Sequence, residues 1–192
     1  MKVSTVRGLI LSLALAGLAV SGRAAPDTWK IDPAHSSIGF TVRHFVSKVP
    51  GIFSKFEGSL TFDPANPSAS KAEALIQTAS VNTNQEKRDA HLNTEDFFLT
   101  SKFPTITFKS KSWTKINEDT FSVVGDLTIK DVTKQVTLET KLLGIGPGSG
   151  GKTLSGWEAK TKVDRRDFGI TYGPGVVGND VEITINIEAV KQ

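Results

Sequence analysis

The sequence contains no cysteine, and its 192 residues include only three histidines. Without cysteine the chain forms no disulfide, no thiolate zinc site, no thiol nucleophile and no lipid-anchored amino-terminal cysteine. No two of the histidines, His35, His44 and His91, have the spacing of metal ligands on one helix or strand. Haem and iron-sulfur ligand motifs are absent as well. We therefore predict no metal and no cofactor, and we expect stability to come from core packing.

An excess of basic charge is also absent from the part of the chain that we expect to fold. The sequence has 23 Lys and Arg and 20 Asp and Glu, but Lys2, Arg7 and Arg23 lie near the amino terminus. Because 23 minus these 3 leaves 20 basic against 20 acidic residues, the remainder is nearly neutral. Nucleic-acid binding requires clustered positive charge, so we predict no nucleic-acid partner.

The first 24 residues have the pattern of a cleavable signal peptide. Lys2 and Arg7 precede an apolar run from Leu9 to Val20, and small residues follow it. A helix needs about 20 apolar residues to cross a bilayer, and this run is shorter, so we predict no stable membrane insertion. We expect cleavage after Ala24 and a single domain over residues 25–192 that is periplasmic or secreted.

Apolar and polar residues alternate with period two in eight segments beyond residue 27. In the last segment Val181, Ile183 and Ile185 share one face, while the residues between them are charged or polar. This alternation is typical of strands with one buried face. The predicted strands cover about residues 38–44, 56–62, 71–81, 105–116, 121–129, 133–143, 154–164 and 181–189.

Turn residues separate the predicted strands, and most connections have the length of a hairpin. The exception is the segment 82–104. There Thr83 and Glu86 have the spacing of a capping box, which predicts a short helix near residues 84–92. Asn93 follows the predicted helix, and we expect it to end the helix in a left-handed conformation.

Successive antiparallel strands with one apolar face form either a two-sheet sandwich or a closed barrel. Eight long strands in sequential order favour closure. We therefore predict an all-β fold, an eight-stranded antiparallel up-and-down barrel with one short helix. A barrel of this size either fills itself with side chains or holds one small ligand, and strand number leaves both alternatives open.

Four sequence blocks resemble the YceI family. They are Asp32-Pro33-Ala34-His35-Ser36-Ser37-Ile38-Gly39-Phe40, Arg88-Asp89-Ala90-His91-Leu92 with Phe103-Pro104-Thr105, Gly125-Asp126-Leu127-Thr128-Ile129, and Asp164-Arg165-Arg166-Asp167-Phe168-Gly169-Ile170. Their order and spacing extend the resemblance over residues 28–190. Asp131 stands where the family pattern has glycine, at a turn position that Asp also serves. The resemblance implies a lipocalin-like barrel, periplasmic or secreted, with an apolar tunnel for polyisoprenoids, quinone-like molecules or other long-chain amphiphiles. It implies no catalytic machinery.

The predicted tunnel wall is a set of apolar residues that share the inward faces of the strands. Apolar pockets of this kind bind ligands with few polar groups. The alternative is that these side chains only fill the barrel. The set consists of Phe40, Val42, Leu60, Ile76, Ile106, Phe108, Leu127, Leu138, Trp157 and Ile183.

A second predicted set is polar and belongs to one barrel end. It consists of His44, Arg88, His91, Asp164 and Arg166. Arg88 and His91 lie three residues apart and share one face of the predicted helix. The functional hypothesis is contact with a polar or phosphate-like ligand head group, which the planar guanidinium of arginine recognises well. The alternative is a structural seal in which Arg88 pairs with Asp89, Asp164 or Asp167.

Catalysis has little support in the sequence. Ser36 or Ser37 beside His35 and Asp32 could suggest a nucleophile, but a triad requires geometry, and no nucleophile-elbow motif is present. We predict that the chain is not an enzyme. Instead, we predict an exported protein that sequesters or carries a polyisoprenoid, an isoprenoid quinone or a similar amphiphile.

Two rival functions stay open at this point. One is an enzyme that acts on a lipophilic substrate at the barrel mouth with His44, His91 or Asp164 as acid or base. The other is an accessory that holds a quinone for a membrane redox partner. The expected partner in every case is a lipid or isoprenoid, and the sequence leaves a homodimer open.

Overall fold

The computed structural model describes residues 26–192, and the predicted signal peptide lies outside the described residues. The described residues form eleven strands, one α-helix and five short 3-10 helices. In chain order the strands and the α-helix are β1 (Asp27–Ile31), β2 (Ser37–His44), β3 (Ser47–Phe53), β4 (Phe56–Phe62), β5 (Lys71–Gln77), β6 (Val81–Asn82), α1 (Glu86–Leu92), β7 (Thr105–Lys115), β8 (Thr120–Ile129), β9 (Val132–Pro147), β10 (Thr153–Asp164) and β11 (Val177–Lys191).

The eleven strands form one closed barrel with eight walls. β1 and β2 pair in succession with the long β11, and only the short helix Pro33–His35 separates them. In the same way, β3 and β4 form the second wall and β5 and β6 the third. All neighbours pair antiparallel in sequential order, and β1 closes the ring on β11 through the pair Trp29 and Lys191. The predicted eight-stranded up-and-down barrel is confirmed.

The period-two pattern of the last strand also matches the structure. Val181, Ile183, Ile185 and Ile187 are partly buried, and the polar residues between them on β11 are mostly exposed. The apolar side chains retain partial exposure because they face an interior space, whereas residues of a filled core would be fully buried. The barrel interior is therefore not completely filled by its own side chains.

The sequence did not predict β3, which contains Pro50. Proline lacks the N–H group that a central strand donates to its neighbour, so it is confined to strands with a free edge. β3 pairs with β2 along its whole length, but β6 pairs only with Ile52 and Phe53 on the other side. Within residues 26–192, the first half of β3 has no ladder partner on that side, which is the place where proline is tolerated.

The helix α1 forms where the sequence predicted it, but the predicted caps are wrong. Gln85 is the N-cap, and its side-chain oxygen accepts from the Arg88 amide. Thr83 does not cap the helix, because its hydroxyl bonds to the side chains of Arg88 and Asp89. Asn93 ends the helix with φ −80 and ψ −11, so it is not left-handed. No helix in the described part of the chain is long and apolar enough to span a bilayer.

The two ends of the barrel differ. At one end, here called the loop end, the connections are residues 45–46, 83–104, 130–131 and 165–176. At the other, here called the aromatic end, the connections are residues 63–70, 116–119 and 148–152. Two clusters of buried side chains form the core, one towards each end. The interior space extends between and beside these clusters.

Candidate functional site

A cavity of about 240 Å³ occupies the barrel interior, and its wall is almost wholly apolar. Every barrel wall contributes to its lining, from Trp113 and Trp157 towards the aromatic end to Val42 and Val177 at the loop end. The structure places the whole predicted tunnel set on this wall, namely Phe40, Val42, Leu60, Ile76, Ile106, Phe108, Leu127, Leu138, Trp157 and Ile183. Their contact with a ligand remains a prediction.

Glycines on neighbouring strands hold two aromatic rings of the wall away from the barrel axis. Gly51 is the cross-strand partner of Phe40, and a Cβ atom at position 51 would overlap the Phe40 ring. A Cβ atom at Gly125 would likewise lie 2.5 Å from Cζ of Phe108. Because real Cβ atoms do not approach a ring so closely, glycine at these positions lets both rings lie flat against the sheet. This packing keeps the centre of the barrel open.

Packed aromatic rings close the aromatic end. The Phe62 ring contacts Trp157 and Phe121 edge to face, with centroids 4.8 and 5.6 Å apart, and Trp113 lies 5.9 Å from Trp157. All four side chains are at least 95% buried. A path to solvent through this cluster would expose the rings, so the cavity has no opening there. The loop end, with the long connections 83–104 and 165–176, is therefore the candidate end for ligand entry.

Arg165 is a charged residue of the cavity wall that was not predicted from the sequence. Its guanidinium is buried and donates to the backbone oxygens of Val177, Gly178 and Ile170 at 2.8–3.1 Å. A β-bulge in β11 between Val177 and Val181 interrupts the ladder with β2, so Arg165 donates to carbonyls beside this irregularity. Burial lowers the pKa of Arg165. The inward row of β10 contains Trp157, Ala159 and Val163. Arg165 continues this row with period two, so the pattern could have predicted that its side chain faces inward.

The five residues of the predicted polar set all lie at the loop end, but they do not form one cluster. Asp164 and Arg166 bind each other, and the hydrogen bonds from Arg166 hold the pKa of Asp164 down at about 2. His91 bonds to Asp96, and its ring packs against Tyr172.

The other two members of the polar set have separate partners. Arg88 donates to the hydroxyl and carbonyl oxygens of Thr83, which take the place of the expected carboxylate partners. His44 packs against the Phe45 ring. None of the five lines the cavity in the described structure.

A second group of titratable side chains lies outside the barrel, beside the first turn. Nδ1 of His35 lies 2.9 Å from a carboxylate oxygen of Asp32 and 3.6 Å from one of Glu188. The Asp32 hydrogen bond raises the pKa of His35, and the same bond lowers the pKa of Asp32. Ser36 instead exchanges hydrogen bonds with the main chain of Glu188. The serine hydroxyl therefore ties β2 to β11 and is not bonded to the imidazole.

The closed antiparallel barrel and its apolar cavity define a lipocalin-like binding barrel. The sequence pattern of the YceI-like domain matches residues 29–189, so the chain belongs to the YceI family. Protein YceI of Escherichia coli O157:H7 is 40% identical over 187 residues, which cover 95% of this chain and 97% of that protein. The predicted family resemblance is confirmed.

Solved structures agree with the fold. The crystal structure of the Campylobacter jejuni YCEI protein is 34% identical, with a TM-score of 0.69 over 77% of this chain and 87% of that one. A polyisoprenoid binding domain from Saccharophagus degradans has a TM-score of 0.64 over 85% of this chain and 98% of that chain, at 14% identity. The second likeness shows a shared fold alone.

Proposed function

We propose that this protein is exported to the periplasm or secreted, and that it sequesters or carries one long-chain amphiphile in its barrel. The proposed ligand is a polyisoprenoid or an isoprenoid quinone, whose chain lies in the cavity and whose head group remains at the loop end. The observation that carries the proposal is the cavity itself, which is apolar along its length and closed at the aromatic end. The Saccharophagus domain, described as polyisoprenoid-binding, has the same fold.

Burial of hydrocarbon is sufficient to hold such a ligand. At about 25 cal/mol per Å², removing about 400 Å² of chain surface from water contributes about 10 kcal/mol. Loss of translational and rotational freedom costs about 4 kcal/mol or more. The remaining free energy, about 6 kcal/mol or less, corresponds to a dissociation constant of tens of micromolar or weaker without any polar contact, which is consistent with a wall that has few polar side chains.

The arrangement favours binding over catalysis. Asp164 is paired with Arg166, His91 with Asp96, and neither belongs to the cavity wall in residues 26–192. A general acid or base must reach the reacting atom within hydrogen-bond distance. A chain inside the barrel would not meet these groups, and at the loop end Asp164 is already engaged by Arg166 and His91 by Asp96.

Mass spectrometry of the intact protein under native conditions tests the proposal. We expect an adduct of one polyprenyl or quinone molecule, or uptake of one such molecule when it is offered to the lipid-free protein. Leu138→Trp, which adds bulk to the cavity wall, should reduce uptake, while Leu143→Trp on the exposed surface should not. A protein that is empty and takes up neither probe would contradict the proposal.

A further inference from the structure

The turn between β2 and β3 presents two large apolar side chains to solvent. Val46 is fully exposed and Phe45 is 57% exposed. The turn is nonetheless tied down, because the Phe45 amide donates to Val176 and Arg43 donates to the Phe45 carbonyl. These side chains are therefore displayed by a fixed backbone at the loop end.

Folding of the hairpin does not account for this choice of residues. His44 pairs with Ser47, so Phe45 and Val46 form a two-residue turn, and Phe45 has a φ of 47°. Glycine is the residue favoured where such a turn requires a positive φ at its first position. A phenylalanine there strains the backbone and leaves more than half of its surface exposed, which favours a contact outside the chain.

Two basic side chains, Arg43 and Lys48, flank the turn on its two strands. The hairpin Ser37–Phe53 contains no Asp or Glu. Arg43 and Lys48 are direct cross-strand partners, an arrangement of like charges that destabilises a hairpin. Glu182 pairs with Lys48 at 2.8 Å and leaves Arg43 without an ion-pair partner in the described structure. An apolar tip beside an arginine that has no ion-pair partner within residues 26–192 is complementary to a bilayer that carries anionic lipids.

The turn also lies close to the place where a ligand enters. Val42 is the last residue of β2 on the cavity wall, and Phe45 follows it by three residues, about 10 Å of extended strand. The first half of β3, which includes Pro50, is free of a ladder partner on its outer side in residues 26–192. The tip of the hairpin therefore has no neighbouring strand on that side within the described residues.

We infer that the Phe45–Val46 turn inserts into the head-group region of an anionic bilayer and thereby sets the loop end of the barrel against the membrane. This inference goes beyond the proposed ligand binding and does not depend on it, because the contact is made by the outside of the hairpin. It would give a lipid a short path between bilayer and cavity.

Vesicle flotation with the purified, folded protein tests the inference directly. Wild-type protein is mixed with phosphatidylcholine vesicles that contain phosphatidylglycerol, and with pure phosphatidylcholine vesicles. We expect binding to the first kind, weakened by salt, and little binding to the second. The double variant Phe45→Ser with Val46→Ser should bind at least about tenfold more weakly, since it removes the buried apolar surface. Ile116→Ser, which removes an exposed residue at the aromatic end, should bind like wild type.

A tryptophan at the turn provides a second readout on protein that is shown to be folded. The three native tryptophans are at least 95% buried, so Val46→Trp adds a reporter in a different environment. Its emission should shift to the blue with anionic vesicles, whereas Ile116→Trp should not shift. No binding by wild type would overturn the inference and leave a protein partner as the occupant. Equal binding by the serine double variant, or equal binding to uncharged vesicles, would overturn it as well.

Discussion

The ring of Phe40 lies against Gly51 on the neighbouring strand, in the space that a Cβ atom would otherwise take. Both residues are in the first two walls of the barrel, and Phe40 lines the cavity. The absence of one side chain on β3 thus decides where the largest side chain of β2 is placed. This relationship gives a direct way to close the cavity without changing any cavity-lining residue.

Gly51→Ala should push the Phe40 ring towards the barrel axis. Overpacking of a fitted interior costs about 1–3 kcal/mol, so we expect uptake of a fluorescent polyprenyl or acyl probe to weaken by about tenfold. Fluorescence titration of the lipid-free protein measures the effect. Gly144→Ala is the matched control, because a Cβ atom there meets nothing within 4 Å. Adding Phe40→Leu should restore uptake in the Gly51 variant; unchanged uptake in Gly51→Ala alone would refute the explanation.

Phe62→Ala should destabilise the fold without removing a residue of the cavity wall. Phe62 is 2% exposed and contacts Trp157 and Phe121. Loss of a buried phenylalanine costs about 3–5 kcal/mol of unfolding free energy, which urea denaturation measures. Ile116→Ala, at a 62% exposed position, should change stability by no more than about 0.5 kcal/mol. Comparable losses in the two variants would mean that the rings do not support the barrel end.

Arg165→Met should cost about 3 kcal/mol, because two buried carbonyl oxygens and one partly buried carbonyl oxygen lose their donor and each unsatisfied buried group costs about 1–3 kcal/mol. Arg166→Met is the control on the neighbouring exposed residue, where loss of a solvent-screened surface ion pair should change stability much less. In that control the pKa of Asp164 should rise from about 2 towards 3.8. Chemical denaturation and carboxyl NMR titration measure the two effects. Equal stability of the two variants would remove the structural role assigned to Arg165.

His35→Gln should lower stability mainly at acidic pH. The hydrogen bond to Asp32 raises the pKa of His35 above 6.5 in the folded protein. Protonated His35 therefore stabilises the folded state below about pH 6.5, and this contribution is lost as pH rises through the raised pKa. The difference in thermal midpoint between wild type and variant should be larger near about pH 5.5 than near about pH 9. His44→Gln serves as the control, since its ring packs on Phe45. A pH-independent difference for His35→Gln would exclude the linkage.

Most of the barrel could be predicted from the sequence because period-two alternation is local and repeats along the chain. The inward rows of β7, β8 and β11 lie where the pattern placed them. β1 and β3 were missed for different reasons. β1 has only five residues, and β3 contains Pro50 and Gly51, which mark a turn in most sequences. In β3 the free strand edge tolerates Pro50, and the Phe40 ring packs against Gly51. Both arrangements depend on other strands of the barrel.

The polar residues were harder to predict because their partners are far apart in the chain. Ser36 bonds to Glu188 across 152 positions, and no local pattern contains that pairing. Arg165 was missed because it directly follows the predicted strand 154–164, although the inward row of β10 continues to it. Its partners are carbonyl groups near a bulge in another strand. Alternation predicts the face on which a side chain lies, but not the unpaired backbone groups that it meets there.

The buried rings close the barrel at the aromatic end, so a ligand cannot pass through the barrel from one end to the other. A ligand bound as proposed would enter tail first and leave head first at the loop end. The depth of the cavity is fixed, so a ligand chain longer than this depth would extend into solvent at the loop end. The length of the ligand would then determine how much of it an accepting protein or membrane could contact. Transfer would require that the acceptor bind at the loop end.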